Sequence, residues 1–300
     1  MTSQDLYVEL GDIRICYRQD GSSDAPTLIL IPGLGMQLIE WPSALVEALS
    51  QDHRVIRLDN RDCGLSSRCG GPFSAIPSGF SWKGSALEQA PYDLTDMADD
   101  VIALANHLQL KQFGCIGFSM GGMIAQIVAT KADDRVRSLV SISSTGGESV
   151  ISAEPEALRQ MESFFFPFVT VMEALEVIRS STDYFSHGAL PRDSAQSIRL
   201  AHSLVDRAQD EGGYLRQAWA MTATPDWRDG LAKLLVPTLF LHGDKDPCIK
   251  ATSAQQMAGY MHQSSCTIYP ELGHWMDGQI CEQIVSWIKE IGLTTSQCSA

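Results

Sequence analysis

The sequence has few positive charges. Its 300 residues include 22 Lys and Arg against 36 Asp and Glu, so the net charge at pH 7 is −14. There is no basic run and no stripe of basic and aromatic residues of the kind that follows a nucleic-acid backbone. A phosphate backbone or an anionic lipid surface would on average repel such a chain. We therefore expect neither nucleic acid nor a membrane as a partner.

Long apolar runs are also missing. No segment approaches the roughly 18 consecutive apolar residues of a transmembrane helix. Residues 1–15 lack the basic start and the unbroken apolar stretch of a signal peptide. Together these absences predict a cytoplasmic protein.

Metal-binding spacing is absent among the eight cysteines, which include no C-x-x-C pair and no Cys–His pattern. In a reducing compartment such cysteines stay unlinked. We therefore expect thiols rather than disulfides, and neither a metal nor a cofactor. The cysteines are Cys16, Cys63, Cys69, Cys115, Cys248, Cys266, Cys281 and Cys298.

Apolar runs of strand length alternate with segments of helical periodicity. With 44% hydrophobic and 19% charged residues, the chain can bury a large core. Continuous runs such as Thr27 to Ile31 are typical of parallel strands covered on both faces. The alternation predicts an α/β fold with a mostly parallel, doubly wound sheet. The predicted strands lie within 6–18 (a hairpin) and at 27–31, 55–58, 113–117, 136–143, 236–241 and 265–269.

The alternation is interrupted after the sixth predicted strand. Residues 147–228 contain helical patterns only, so we expect an α/β core of residues 1–146 and 229–300 and a helical cap of residues 147–228. The Gly/Ser/Pro-rich stretch from Ser67 to Ala90 is long for a connection between strand and helix, which indicates a functional or disordered loop.

The pentapeptide G-F-S-M-G at residues 117–121 lies between a predicted strand and a predicted helix. This is the context of a nucleophile elbow, a tight turn that presents a serine at the end of a strand. A Cβ at Gly117 or Gly121 would collide where strand and helix approach. The motif predicts Ser119 as a nucleophile.

A serine nucleophile needs a base, and the base needs an acid that orients it. His274 follows the last predicted strand, which favours it as the base over the six other histidines. Two acids, Asp244 and Asp246, follow the strand at 236–241. We favour Asp246, which precedes Pro247 and lies further from the strand, whereas Asp244 suits a turn.

Backbone N–H groups are expected to stabilise the oxyanion. They are those of Met120, directly after the serine, and of Leu34 in the loop I-P-G-L-G-M-Q. Residues 59–66 are interpreted as scaffold, because an Arg between two Asp residues suits charge-assisted hydrogen bonds. The candidate pocket residues are Gly35, Phe165, Trp275 and Met276, although aromatic residues of the cap could equally form its core.

The chain resembles the α/β-hydrolase superfamily over its whole length, through G-F-S-M-G-G, D-x-R-x-x-G-x-S, H-G-D-x-D-P and G-H-W in that order. With R-D-x-G at residues 61–64 and Trp41-Pro42, it is similar to aclacinomycin methylesterase and to the serine esterases that inactivate 16-membered macrolides. The resemblance implies Ser119, Asp246 and His274 as the triad. It implies Leu34 and Met120 as oxyanion donors.

We therefore expect a serine carboxylic-ester hydrolase whose substrate is a small-molecule ester or lactone, most plausibly a macrolide lactone. The alternatives are a methylesterase or esterase of another small molecule, an acyltransferase or perhydrolase, and a receptor-like hydrolase that is acylated but barely turns over. A proline-type aminopeptidase also stays open, since its free-amine substrate needs cap carboxylates. The available ones are Glu154, Glu156, Glu162 and Glu173.

Overall fold

A computed structural model describes residues 4–84, 89–147, 153–208 and 211–292. Cys298 and parts of the Ser67–Ala90 and 147–228 segments lie outside these residues. Within the described chain the elements, in sequence order, are β1 (Leu6–Leu10), β2 (Ile13–Asp20), β3 (Thr27–Ile31), α1 (Ser43–Leu49), β4 (Arg54–Leu58), α2 (Leu94–His107), β5 (Phe113–Phe118), α3 (Met120–Lys131), β6 (Val136–Ile142), α4 (Pro155–Glu162), α5 (Val171–Phe185), α6 (Ala195–Arg207), α7 (Gly213–Ala223), α8 (Arg228–Leu231), β7 (Thr238–Gly243), α9 (Thr252–Tyr260), β8 (Ser264–Tyr269) and α10 (Gly278–Glu290).

The strands form one sheet in the order β1-β2-β4-β3-β5-β6-β7-β8. The hairpin β1–β2 is antiparallel and joins β4 in antiparallel fashion, whereas all other neighbours are parallel. The sequence-based prediction of a mostly parallel α/β sheet is confirmed. Because β3 and β5 lie side by side near the middle, the loops after both strands open at the same edge.

Both faces of the sheet are covered, which explains the continuous apolar strands. In β3, Leu28 and Leu30 pack in the layer with α1 and α10, whereas Ile29 and Ile31 pack in the layer with α2 and α3. Successive side chains of a strand point to opposite faces, so a strand covered on both sides has no polar position. These runs therefore explain the predicted doubly wound arrangement, in which helices cover both faces of the sheet.

Between β6 and β7 the described chain forms helices α4 to α8 and contains no strand. We call α4 to α7 the inserted helices. α5 packs on α6, and α8, of only four residues, packs on α3. No helix in the described ranges has the length and apolar character needed to cross a bilayer. None of the seven cysteines in those ranges is part of a disulfide.

Candidate active site

Ser119 occupies the one-residue turn between β5 and α3. Its backbone is strained, with φ 54° and ψ −121°, a region that non-glycine residues rarely adopt. A Cβ on Gly117 would lie 2.1 Å from the Gly121 carbonyl oxygen, and one on Gly121 would lie 2.0 Å from that of Ile31. The two glycines are therefore needed for the close approach of helix and strand that presents Ser119.

Asp246 and His274 form a hydrogen-bonded pair in the loops after β7 and β8. His274 Nδ1 lies 2.7 Å from Asp246 Oδ2, and the carboxylate is fully buried. The N–H groups of Cys248 and Ile249 donate to the other oxygen, Oδ1, at 2.8 and 2.9 Å. Since a carboxylate can only accept, His274 carries its proton on Nδ1, and Nε2 of the neutral ring remains a base.

His242, at the end of β7, makes a further contact to Asp246 that the sequence did not reveal. Its Nε2 lies 3.0 Å from Asp246 Oδ2 and 2.8 Å from the Ile249 carbonyl oxygen. Both partners accept, so Nε2 carries the proton. Burial by itself would raise the pKa of Asp246. The charge that His274 carries when protonated and the hydrogen bonds from His242 and His274 nevertheless hold this pKa below its ordinary value.

Asp244 has a different role from Asp246. Its Oδ1 accepts a hydrogen bond from the Glu271 N–H at 2.8 Å, and its side chain is partly exposed near Lys245. Asp244 therefore fastens the two loops to each other. The carboxylate that contacts His274 is that of Asp246.

The loop after β3 is held from several sides. Gln217 of α7 accepts a hydrogen bond from the Gly35 N–H at 2.8 Å, and Asn60 donates to the Pro32 carbonyl at 2.9 Å. Within the described residues, neither the Leu34 N–H nor the Met120 N–H has a protein acceptor. Both groups are therefore available as hydrogen-bond donors to a ligand.

The loop after β4 acts as the scaffold that its charges predicted. Arg61 binds Asp100 of α2 through two hydrogen bonds of 2.6 and 2.7 Å. The buried Asp62 carboxylate accepts from Arg216 of α7 at 2.8 and 2.9 Å and from the Tyr92 hydroxyl at 2.7 Å. This network ties the inserted helix α7 to the sheet.

Ser119 and His274 line one cavity of about 380 Å³. Most of its lining is apolar, supplied by the loop after β3, the inserted helices and the loop after β8. Gly35, Trp275 and Met276 contribute to it, as does Leu34. Cys63 and Cys248 also belong to the lining.

The prediction that Phe165 lines the pocket is corrected. Its side chain is fully buried and packs against Phe80 and Trp82, with ring centroids 5.4 and 5.5 Å apart. Its neighbours Phe164 and Phe168 face the cavity instead. α4 ends at Glu162, so helical periodicity no longer determines which of these aromatic rings points inward.

The four acidic residues considered for amine binding do not line the cavity. Glu156 binds Arg159 and Gln160, Glu162 accepts from Trp82, and Glu173 accepts from the Val169 N–H. For Glu154 the structure records a backbone hydrogen bond to Pro247. None of these four carboxyl groups of the inserted segment is therefore placed to hold a free amine in the cavity.

Asp246, Cys248 and His274 place potential metal-ligand atoms within 4.8 Å of one another. The Asp246 oxygens, however, already accept four hydrogen bonds. Burial and the Asp246 charge raise the pKa of the Cys248 thiol well above its ordinary value, which disfavours the thiolate that a metal would need. These three side chains are therefore better suited to hydrogen bonding than to binding a metal ion.

A strained serine that shares a cavity with a hydrogen-bonded Asp–His pair is an arrangement suited to attack on an ester carbonyl. Sequence comparison leads to the same class. The chain matches the family with the α/β-hydrolase fold over residues 26–276 and belongs to that family. The predicted superfamily is thus confirmed, and the chain is an enzyme, a carboxylic-ester hydrolase.

Two curated relatives are 3-oxoadipate enol-lactonase 2 of Acinetobacter baylyi and rhodomycin D methylesterase DnrP of Streptomyces peucetius. The first is 26% identical over 262 residues, which cover 86% of this chain and 85% of the relative. The second is 35% identical over 118 residues, or 39% and 34% of the two chains. Among solved structures, the enol-lactonase of Burkholderia xenovorans shares the fold, with a TM-score of 0.73 at 18% identity over 95% and 99% of the chains.

Proposed function

We propose that the chain hydrolyses carboxylic esters through a serine acyl-enzyme, with Ser119 as nucleophile, His274 as general base and Asp246 as the carboxylate that orients it. One observation carries the proposal: Ser119 and the Asp246-bound His274 face the same apolar cavity. The strained backbone of Ser119 supports it, because strain of this kind is characteristic of catalytic positions.

The reaction has two halves. Ser119 Oγ attacks the carbonyl carbon as His274 Nε2 takes its proton, and the N–H groups of Leu34 and Met120 stabilise the oxyanion. His274 then protonates the leaving alcohol as the C–O bond breaks. Water then gives a proton to His274 Nε2 and attacks the acyl carbon. His274 returns the proton to Ser119 Oγ as the bond between the acyl carbon and Oγ breaks, which releases the acid.

The substrate we propose is a bulky ester, in particular the lactone of a macrolide that is opened and thereby inactivated. A cavity of about 380 Å³ lies in the range of roughly 300–1,000 Å³ that holds drug-sized ligands. Val169 and Val171 belong to its lining, yet 88% and 50% of their surface is exposed, so the cavity opens between them. A substrate larger than the interior would extend over this apolar rim.

Residues 147–228 act in this proposal as a cap that shapes the cavity, on a core of residues 1–146 and 229–300. Val171 of α5, Leu204 of α6 and Tyr214 of α7 all reach the lining. The similarity to an enol-lactonase supports a cyclic ester as substrate, and the similarity to a rhodomycin D methylesterase supports a large one.

The test is mass spectrometry of 16-membered macrolides, 14-membered macrolides and aryl esters after incubation with the enzyme. We expect a 16-membered macrolide to gain the mass of one water. Ser119→Ala should lower the rate at least about 10⁴-fold, the scale of losing a catalytic serine, while Ser203→Ala, an exposed control on α6, should not. Aryl-ester turnover without macrolide opening would overturn the macrolide assignment, and undiminished turnover by Ser119→Ala would overturn the mechanism.

The second candidate is a methylesterase, favoured by the similarity to rhodomycin D methylesterase. It requires the same acyl-enzyme but releases methanol and leaves a ring intact. Incubation with methyl esters of bulky carboxylic acids, with methanol measured in the supernatant, separates the two. Methanol release combined with unchanged macrolides would replace the lactonase proposal.

A further inference from the structure

Glu40 is a carboxyl group on the wall of an otherwise apolar cavity. It ends a short 3-10 turn, Leu38–Glu40, and its Oε2 accepts a hydrogen bond of 2.6 Å from the Gln37 N–H. Among the described residues that line the cavity, Glu40 carries the one carboxyl group. Its side chain is partly accessible because it faces this space.

The cations nearby already have partners. Arg207 binds Asp59 at 2.8 Å and Asp5 at 3.4 Å, and Arg18 binds Asp5 at 2.6 Å. Two arginines and two aspartates therefore balance each other. Glu40 is left without a cationic partner, and no ion pair between described residues includes it.

Arg68, the arginine of the described cavity lining, is also engaged within the protein. Arg68 donates to the carbonyl oxygens of Ser66 and Gly64 at 2.9 and 2.8 Å. Glu40 Oε1, by contrast, receives no hydrogen bond from the described residues. One carboxyl oxygen thus caps a turn, and the other, on a residue that lines the cavity, has no protein donor among the described residues.

A carboxylate in this position costs free energy when the cavity lacks a cation. Burial raises the pKa of Glu40 to about 8; the Asp59 charge adds to the effect, while the Gln37 N–H and Arg207 act against it. An uncharged Gln side chain could accept the same hydrogen bond from Gln37 without this cost. The turn therefore requires an acceptor at this position but not a carboxyl group in particular.

We infer that Glu40 is the binding site for a protonated amine of the substrate, so that the enzyme prefers esters or lactones that carry a basic nitrogen. The ammonium would contact Oε1 in the cavity, where low polarity strengthens the ion pair. This inference rests on the proposed ester hydrolysis and narrows its substrate class.

The experiment compares two series of 4-nitrophenyl alkanoates of increasing chain length. One series ends in a dimethylamino group and the other in the uncharged isopropyl group of the same shape. We expect kcat/KM, corrected for hydrolysis without enzyme, to favour the amine at one or more lengths by about tenfold or more, the scale of one charge-assisted hydrogen bond.

Glu40→Gln should lower that amine-to-isopropyl ratio to near one. Glu47→Gln, the same change at an exposed position of α1, should leave the ratio as in the wild type. An amine preference that persists in Glu40→Gln would overturn the inference. So would a wild-type ratio near one at every chain length, a measurement that does not depend on how well the variant folds.

The same experiment distinguishes a failure of the inference from a failure of the proposed function. If both series are hydrolysed with Ser119 required but without an amine preference, the function stands and the Glu40 site falls. If the wild type hydrolyses neither series nor any aryl ester, or Ser119→Ala hydrolyses them as well as the wild type, the proposed mechanism falls and the inference falls with it.

Discussion

Asp246 is the residue on which the hydrogen bonds of the site converge. Its buried oxygens accept from two backbone N–H groups and two imidazoles. A carboxylate that is this well solvated by the protein stays ionised, so it can fix the tautomer of His274. His242 also contacts Asp246 but does not belong to the cavity lining, so its contribution to the reaction needs a test of its own.

His242→Ala should impair the site without abolishing it. The substitution removes the donor to Asp246 Oδ2 and the Ile249 carbonyl, and a buried acceptor left without its donor costs about 1–3 kcal/mol. We expect a roughly tenfold loss in kcat with a smaller change in KM, since His274 would be oriented less firmly.

His242→Gln, which retains an N–H donor near the same place, should recover part of the lost kcat. Steady-state kinetics on an aryl ester is the measurement. A wild-type kcat for His242→Ala would show that His242 serves packing alone.

The ionisation of Glu40 also affects the free energy of unfolding. Its pKa is raised from 4.5 to about 8, so the folded state binds the proton more tightly than the unfolded state does. Stability is therefore lost as the pH rises from 4.5 to 8, where the unfolded chain ionises this group more readily.

Glu40→Gln should remove that loss. We expect the variant to exceed the wild type in free energy of unfolding by about 1–3 kcal/mol at pH 8, with the difference shrinking toward pH 4.5. Urea unfolding at several pH values checks this, with Glu47→Gln as the control. A difference that does not change with pH would mean that the charge of Glu40 is not the cause.

At the scale of elements, α7 connects the inserted helices to the loops after β3 and β4. Arg216 binds Asp62 after β4, and Gln217 bonds both the Gly35 N–H and the Arg61 carbonyl. The Arg216 side chain is 2% exposed and that of Asp62 is fully buried. Losing one partner of such a pair leaves a buried charge uncompensated.

Arg216→Met should therefore lower the free energy of unfolding by about 3–5 kcal/mol. Adding Asp62→Asn to this variant should cost much less than the sum of the two single changes, because the double variant has no unpaired charge. A double-mutant cycle from urea unfolding measures the coupling. Additive effects would show that the two side chains stabilise the protein independently.

The elements also show how far the sequence determines the site. β3 was predictable because a strand covered on both faces leaves an uninterrupted apolar run, and Ser119 because its turn tolerates only glycine at residues 117 and 121. Asp246 and His274 followed from their places after β7 and β8. These features are local, or follow from the order of strands.

Phe165 was mispredicted from the sequence, and Glu40 and His242 were missed. Their places depend on packing between distant parts of the chain and not on local sequence. Four phenylalanines lie within six residues after the end of α4, and only the packing of Phe80 and Trp82 determines which one is buried. Glu40 ends a three-residue turn that has no strong sequence signature. Whether it faces a cavity depends on α6 and α7, which are far away in sequence.

For the whole molecule, the net charge of −14 bears on the substrate that Glu40 indicates. A field of this sign raises the local concentration of cations and lowers that of anions, and salt screens it over about 10 Å at 0.1 M. A cationic ester should therefore lose a few-fold in kcat/KM between low and high salt, while its isopropyl analogue should change little. Equal salt sensitivity of both esters would mean that salt changes the enzyme itself. The attraction between the negative protein and the cationic ester would then not be the cause.

Glu40→Gln separates this field from the local contact. The substitution changes one charge among many, so the salt dependence for the cationic ester should persist in the variant even though the amine preference at high salt disappears. The wild type should keep that preference at high salt, because an ion pair inside the cavity is screened far less than charges on the surface. Kinetics of both esters at two salt concentrations in both proteins gives the answer. If the wild-type preference vanishes with salt, the surface charge rather than Glu40 selects the amine.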